Sequence, residues 1–142
     1  MVCPHNMTEQ STVLIIDDHD TIRELARAVL ESDNMLVSEA HDGPAALRLA
    51  MAHTYDVILV DLRLPGMTGI EVVAHLRSRD GPNRHSALVA FTAESNARRI
   101  DSLGELGFDA LLTKPIIPEK MISVVARLAQ KRPTNGCTSS DA

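Results

Sequence analysis

Asp17-Asp18, Asp61, Thr92 and Lys114 each stand at the end of a short, mainly apolar run. Asp is a poor strand residue and costly to bury, so a run that closes on one marks either a cap or a site. Three carboxylates brought together repel, and they raise one another's pKa values or recruit a cation. Hard oxygen ligands with room left for water and phosphate oxygens suit Mg2+. A lysine opposite them neutralises one carboxylate or holds a phosphoryl oxygen as a point charge, and a threonine hydroxyl donates to the same group. A carboxylate in such company is equipped to take a phosphoryl group and hold it as an acyl phosphate. Each residue also has an ordinary reading: Asp17, Asp18 or Asp61 as a cap, Thr92 as a strand residue, Lys114 as a solvated cation. One polar residue at a strand end arises easily by chance; four strands ending so do not.

The elements that must position these residues follow in order. Thr12 to Ile16 reads as a strand ending on Asp17-Asp18. Thr21 to Ser32 reads as a helix, with Asp20 as N-cap and Ile22, Leu25, Ala26, Val29 and Leu30 on one face. Met35 to Ala40 alternates apolar and polar residues, as an edge strand does. Pro44 to Ala52 is a second helix, opened by Asp42-Gly43-Pro44. Val57 to Val60 is unbroken apolar sequence, suited to a strand covered on both faces and ending on Asp61. Pro65 and Gly66 stop it, and Gly69 lets the chain turn into a third helix, Ile70 to Arg79, burying Val72, Val73 and Leu76. The polar loop Asp80 to His85 leads to a fourth strand, Ala87 to Thr92. Asn96 to Leu106 is a fourth helix closed by Gly107, Phe108 to Thr113 a fifth strand, and Pro118 to Ala129 a last helix with Met121, Ile122, Val125 and Leu128 inward.

Strict alternation of five strands and five helices implies an α/β fold, a parallel sheet with helices on both faces. The strand ends then share one edge of the sheet, where open α/β folds build their sites. The 142 residues suit one domain, with residues 1–11 a flexible lead-in, 12–130 the folded domain and 131–142 a disordered tail. A net charge of −5 gives no general attraction to nucleic acid, and with no Trp and only Tyr55, Phe91 and Phe108 as aromatics a base-stacking platform is not expected. No apolar run reaches membrane-spanning length and no leader is evident, so the expected location is cytoplasmic. Cys3 and Cys137 lie in opposite tails and form no disulfide framework. None of the six histidines pair at i, i+4, so they are read as surface residues. Asn6-Met7-Thr8 is read as a chance sequon.

Asp17-Asp18, Asp61 within DLRLPGMTG, Thr92-Ala93 and Thr113-Lys114-Pro115 together resemble the receiver domain of two-component response regulators, over almost all of residues 12–130. The resemblance implies a single doubly wound (βα)5 domain, flavodoxin-like, with its five-stranded parallel sheet in order 2-1-3-4-5. It implies that Asp61 is the phospho-acceptor, supplied by a phosphohistidine on a histidine kinase or a histidine phosphotransfer domain. Asp17 and Asp18 match the acidic pair that holds Mg2+, joined by Asp61 and the main-chain carbonyl of Arg63. Thr92 matches the hydroxyl residue that swings toward the phosphoryl group, Lys114 the lysine that bridges to it, and Pro115 the proline commonly cis after it. Ala93 would leave the acceptor open to the donor. The implied output surface is the fourth helix, fifth strand and fifth helix, with Arg98, Arg99, Asp109, Glu119, Lys120 and Arg127 as candidate surface charges facing a protein target. Direct contact with nucleic acid or membrane is not expected, nor is catalysis beyond the domain's own phosphorylation and dephosphorylation.

Two departures stand out. Receivers usually carry Tyr or Phe three residues before the lysine; here Leu111 occupies that switch position, which puts the usual coupled switch in question. The alternative is a repacking of Leu111 that exposes no hydroxyl, with the signal passing through the fourth helix or the loop before it. Ile116 replaces a common Phe. Ile116-Ile117-Pro118 and the Asp80 to Arg84 loop resemble receivers fused to hybrid sensor kinases, which exchange phosphate with histidine phosphotransfer domains. About a dozen residues follow Ala129, too few for a DNA-binding fold, which leaves a stand-alone receiver or one cut from a longer chain. Among rivals, a Mg2+-dependent aspartyl phosphatase needs a second Asp two residues after the nucleophile, where this chain has Arg63. A degenerate, phosphate-independent receiver is opposed by the intact Asp17, Asp18, Asp61, Thr92 and Lys114 and kept open by Leu111. A flavodoxin-like cofactor binder would need a Gly-rich loop after the first strand, and none is present.

Overall fold

Four mainly apolar runs and one alternating run become five strands, β1 Thr12–Ile16, β2 Leu36–Ala40, β3 Val57–Asp61, β4 Ala87–Ala93 and β5 Ala110–Lys114. The computed structural model describes residues 10–78, 81–93 and 103–131. Every pairing is parallel, in the order β2-β1-β3-β4-β5. The helices are α1 Asp20–Glu31, α2 Gly43–Ala52, α3 Gly69–Ser78, α4 Leu103–Leu106 and α5 Pro118–Lys131. This is the doubly wound (βα)5 arrangement expected. Of the fourth helix expected from Asn96, residues 96–102 lie outside the described residues, as do Arg98 and Arg99.

Side chains that follow one another along a strand point to opposite faces, so each unbroken apolar run feeds two cores. Leu14, Ile16, Ile58, Val60, Leu88 and Ala90 pack with Ala46 and Ala50 of α2 and with Val72, Val73 and Leu76 of α3. Val13, Ile15, Val57, Leu59, Val89 and Phe91 pack with Ala26, Val29 and Leu30 of α1 and with Met121, Val125 and Leu128 of α5. Leu25, expected on the buried face of α1, is exposed instead. Ile22, Ala26, Val29 and Leu30 define the stripe, and at 100° per residue Leu25 falls about 85° from its middle, at the solvent margin.

The helix starts are built locally. Asp42 Oδ1 accepts from Ala45 N (2.8 Å) at the start of α2. Thr68 and Glu71 form a reciprocal capping box for α3, Thr68 N donating to Glu71 Oε1 (2.8 Å) and Glu71 N to Thr68 Oγ1 (3.2 Å). Helix α1 starts one residue earlier than expected, with His19 rather than Asp20 at the cap position and no side-chain cap bond. Asp20 lies in the first turn, where the helix dipole favours a carboxylate, and pairs with Arg23.

Edge strand β2 is flanked by charge. Arg23 Nε lies 3.1 Å and Arg27 Nη1 2.8 Å from the two oxygens of Glu39, and Arg27 also reaches Glu31 (2.8 Å). The Arg27 bond holds the Glu39 carboxyl below its ordinary value of 4.5, with Arg23 adding to the effect and partial burial opposing it. A folded value below the unfolded one stabilises the fold above about pH 4.5, and that contribution disappears as pH falls through the lowered value. Glu39→Gln should therefore cost stability at pH 7 and flatten the acid limb of a urea-unfolding series between pH 7 and pH 3.5. An unchanged acid limb would show that Glu39 contributes nothing to it.

The amino-terminal edge of the sheet is closed by side chains. Buried Asn83 donates from Nδ2 to Ala50 O (2.6 Å) and His53 O (2.7 Å), while its Oδ1 accepts from Tyr55 N (2.7 Å). Ser86 Oγ sits 2.7 Å from Tyr55 O and 2.9 Å from Asn83 Oδ1. Arg77, from α3, donates to Gly107 O (2.7 Å), Arg84 O (2.8 Å), Ser86 O (2.9 Å) and Asp109 Oδ2 (2.9 Å). Asp109 Oδ2 also accepts from Leu88 N (2.8 Å), and Asp109 N donates to Leu88 O (2.7 Å). This carboxylate stands in for a ladder bond, so β5 begins at Ala110 rather than at Phe108. Asp109, one of the candidate output charges, is thus part of a structural clamp. Glu119, Lys120 and Arg127 are exposed on α5. Among the described residues, no helix is long and apolar enough to cross a membrane.

Candidate functional site

The opposite edge of the sheet gathers the reactive residues. Asp17 follows β1, its N–H donating to Ala40 O (3.1 Å) at the end of β2, so the neighbouring strand fixes its backbone. Arg23 Nη1 holds the carbonyl of Asp17 from the other side (2.6 Å). Asp61 is the last residue of β3, and its Oδ1 accepts from Arg63 N (2.9 Å) as the chain turns. Gly69 makes that turn possible by close approach: a Cβ there would lie 2.3 Å from Asp61 O and 2.8 Å from Leu62 Cα.

Lys114 ends β5, paired with Ala93, and reaches back across β4 to the acidic residues. Its Nζ passes 5.0 Å from the centroid of the Phe91 ring, a cation–π distance. It ends 2.8 Å from Asp17 Oδ2 and 3.3 Å from Asp61 Oδ2. The first contact is the shorter of the two ion pairs. One ammonium therefore compensates two buried carboxylates. The Lys114–Pro115 peptide bond is cis, as the resemblance implied.

These contacts separate the two acids. Burial pushes Asp17 upward, but the Lys114 ammonium and bonds from the His19 backbone and ring outweigh it, and its carboxyl lies below the ordinary value. Burial also pushes Asp61 up; Arg63 N and Lys114 offset this only in part, the Asp17 charge adds to it, and the net shift is upward. Asp61 is thus the more basic carboxylate of the pair, a property that favours nucleophilic attack once it is ionised.

Thr92 is fully buried near the end of β4, one residue beyond Phe91, the partner of Asp61. Its Oγ1 has no hydrogen-bond partner among the described residues. A buried hydroxyl left unpaired costs about 1–3 kcal/mol, which makes it a group waiting for an acceptor. Leu111 is half-buried against the core shared by α2 and α3, and offers only packing. Arg63 exposes its side chain. His19 was expected to be an ordinary surface histidine. Its ring is exposed, yet Nδ1 lies 3.0 Å from Asp17 Oδ1 and 3.2 Å from Asp18 Oδ1. Adjacency to the acidic pair was the signal for it.

Asp17, Asp18, His19 and Asp61 each offer one ligand atom, all within 4.8 Å of one another, so the edge carries a site able to coordinate a metal ion. The donor set is dominated by carboxylate oxygen, which fits a hard divalent cation. The family model described as the response regulator receiver domain matches residues 13–126.

The chain belongs to the response regulator receiver domain family.

The transcriptional regulatory protein ResD of Bacillus subtilis is 32% identical over 127 residues, 89% of this chain and 51% of ResD. This receiver domain chain spans about half the length of the curated relatives it matches. The chemotaxis response regulator CheY4 of Vibrio cholerae superposes with a TM-score of 0.77 at 28% identity, covering 84% of this chain and 98% of that one. The response regulator TrrA of Thermotoga maritima, in complex with Mg(2+)-BeF, gives a TM-score of 0.74 at 25% identity, over 84% and 99% of the two chains. Receiver domains are signalling switches, and the acidic cluster of this one accords with an acceptor aspartate beside a metal.

Proposed function

We propose that Asp61 takes a phosphoryl group from the phosphohistidine of a histidine kinase or a histidine phosphotransfer domain, in a centre completed by Mg2+. The observation that carries this reading is the Asp61 carboxylate itself: buried, raised in pKa, touching Lys114 and clustered with Asp17 and Asp18. Asp17, Asp18, Asp61 and the main-chain carbonyl of Arg63 would hold the metal, which supplies charge neutralisation on the transferring phosphoryl oxygens. A relative in complex with Mg(2+)-BeF supports the choice of ion.

In the transfer an Asp61 carboxylate oxygen forms the new bond to phosphorus as the bond to the imidazole nitrogen breaks, and the imidazole leaves with the electron pair. Lys114 exchanges its contact with the Asp61 oxygen for one with a phosphoryl oxygen. The Thr92 hydroxyl, which has no partner among the described residues, gains an acceptor. Most of the acceleration comes from positioning and charge. Movement of Thr92 leaves room that Leu111 repacks into, so the signal passes as a change of packing on the side of α4, β5 and α5, where Glu119, Lys120 and Arg127 face a protein target. Residues 12–130 are the signalling unit, acting through protein contacts rather than on nucleic acid or membrane, in the cytoplasm.

Incubating the full chain with Mg2+ and acetyl phosphate or phosphoramidate should add one phosphoryl mass to the intact protein. Asp61→Asn should show none, and chelation should abolish it. No gain in the parent, or an equal gain in the variant, would remove Asp61 as acceptor and leave a receiver that binds partners without phosphate.

A further inference from the structure

The His19 ring occupies an unusual place. Its Nδ1 contacts both members of the acidic pair, at 3.0 and 3.2 Å, although the ring is 64% exposed and free of any cap bond. The backbone N–H of His19 also donates to Asp17 Oδ1 (2.9 Å), which ties the ring's base to the carboxylate. Around a divalent ion with ligands at about 2.1 Å, neighbouring ligand atoms lie about 3.0 Å apart in an octahedron and about 3.4 Å apart in a tetrahedron. Both nitrogen–oxygen separations have the length of such an edge, a length that a hydrogen bond from Nδ1–H would also give. An Asp61 oxygen lies within 4.8 Å of the same atoms, close enough to join them with a small inward movement. In the Nε2–H tautomer the Nδ1 lone pair points into this group as a ligand.

We propose that His19 is a nitrogen ligand of the metal centre, so that the site favours borderline divalent ions such as Co2+, relative to Mg2+, more than its carboxylates alone would. This rests on the metal-site reading above and deepens it. An all-oxygen set suits Mg2+, which dehydrates reluctantly, whereas one imidazole shifts selectivity toward ions later in the first-row series. The competing role is that of a positioning residue, with Nδ1–H donating to Asp17 and the ring never touching the ion.

The test is calorimetric titration of the full chain with Mg2+, Mn2+ and Co2+, beside His19→Gln, whose amide still donates to Asp17 but is a poor nitrogen ligand. Spin-echo modulation of bound Mn2+ reports directly on ligated nitrogen. Expected are tighter binding of Co2+ than of Mg2+ by the parent, a loss of Co2+ affinity in His19→Gln at least about tenfold greater than its loss of Mg2+ affinity, and a nitrogen modulation present only in the parent. Equal losses for both ions, or no nitrogen modulation in the parent, would reduce His19 to a positioning donor and overturn the proposal while leaving the Mg2+ site intact. A parent that binds no Mg2+ would overturn the underlying reading of the centre, and the His19 ligand with it.

Discussion

Asn83→Ala should lower the stability of the fold by about 3–5 kcal/mol, the largest loss expected from any single polar side chain here. The side chain is 2% exposed and serves three elements at once. It donates to the carbonyls of Ala50 in α2 and of His53 just after it, and accepts from the Tyr55 N–H just before β3. Ser86, just before β4, leans on the same oxygen. Truncation leaves the Tyr55 N–H and the Ala50 and His53 carbonyls without their side-chain partners. Urea unfolding followed by circular dichroism should show a lower midpoint at an unchanged slope. A loss below about 1 kcal/mol would mean that the loop rearranges to satisfy these groups without Asn83.

Gly69→Ala should slow phosphorylation of Asp61 on the order of a hundredfold while leaving most of the protein folded at room temperature. The added methyl would meet backbone, at 2.3 Å from Asp61 O and 2.8 Å from Leu62 Cα, so no rotamer change relieves it. Either the start of α3 lifts or the end of β3 shifts, and the second moves Asp61 away from Lys114. Displacement near 1 Å at a reacting group is enough for the effect, whereas overpacking costs stability by about 1–3 kcal/mol. The check is the rate of phosphoryl mass gain with acetyl phosphate, alongside thermal unfolding. A rate within threefold of the parent, in a folded variant, would show that α3 alone absorbs the clash.

Much of this architecture is visible in residue order. The runs Thr12 to Ile16 and Val57 to Val60 are apolar without alternation because both faces of β1 and β3 are covered, and the polar residues that close such runs had to lie on one edge of a parallel sheet. Asp17, Asp61 and Lys114 meet there for that reason. What stayed hidden depends on distance across the fold. Asn83 sits in a Gly-Pro-Asn loop that looks solvated, and only the arrival of α2 and β3 around it makes it a buried hub. Asp109 looks like a surface charge until Leu88 and Arg77 are placed beside it. Gly69 reads as a turn glycine, but its constraint is the nearness of the Asp61 carbonyl. Leu25 misled through angular geometry, lying at the margin of a stripe that a simple i, i+3, i+4 count includes.

Arg77, Asn83, Ser86 and Asp109 tie the amino-terminal edge of the sheet with a dense set of hydrogen bonds, while the opposite edge keeps a Thr92 hydroxyl with no partner among the described residues and a lysine divided between two acids. Mechanically the domain is a cantilever, clamped at one end and loaded at the other. Under the reading proposed above, a charge added at the acidic edge would act first on the groups nearest it. The compliance that signalling needs would then sit at the acidic edge, without loosening the root.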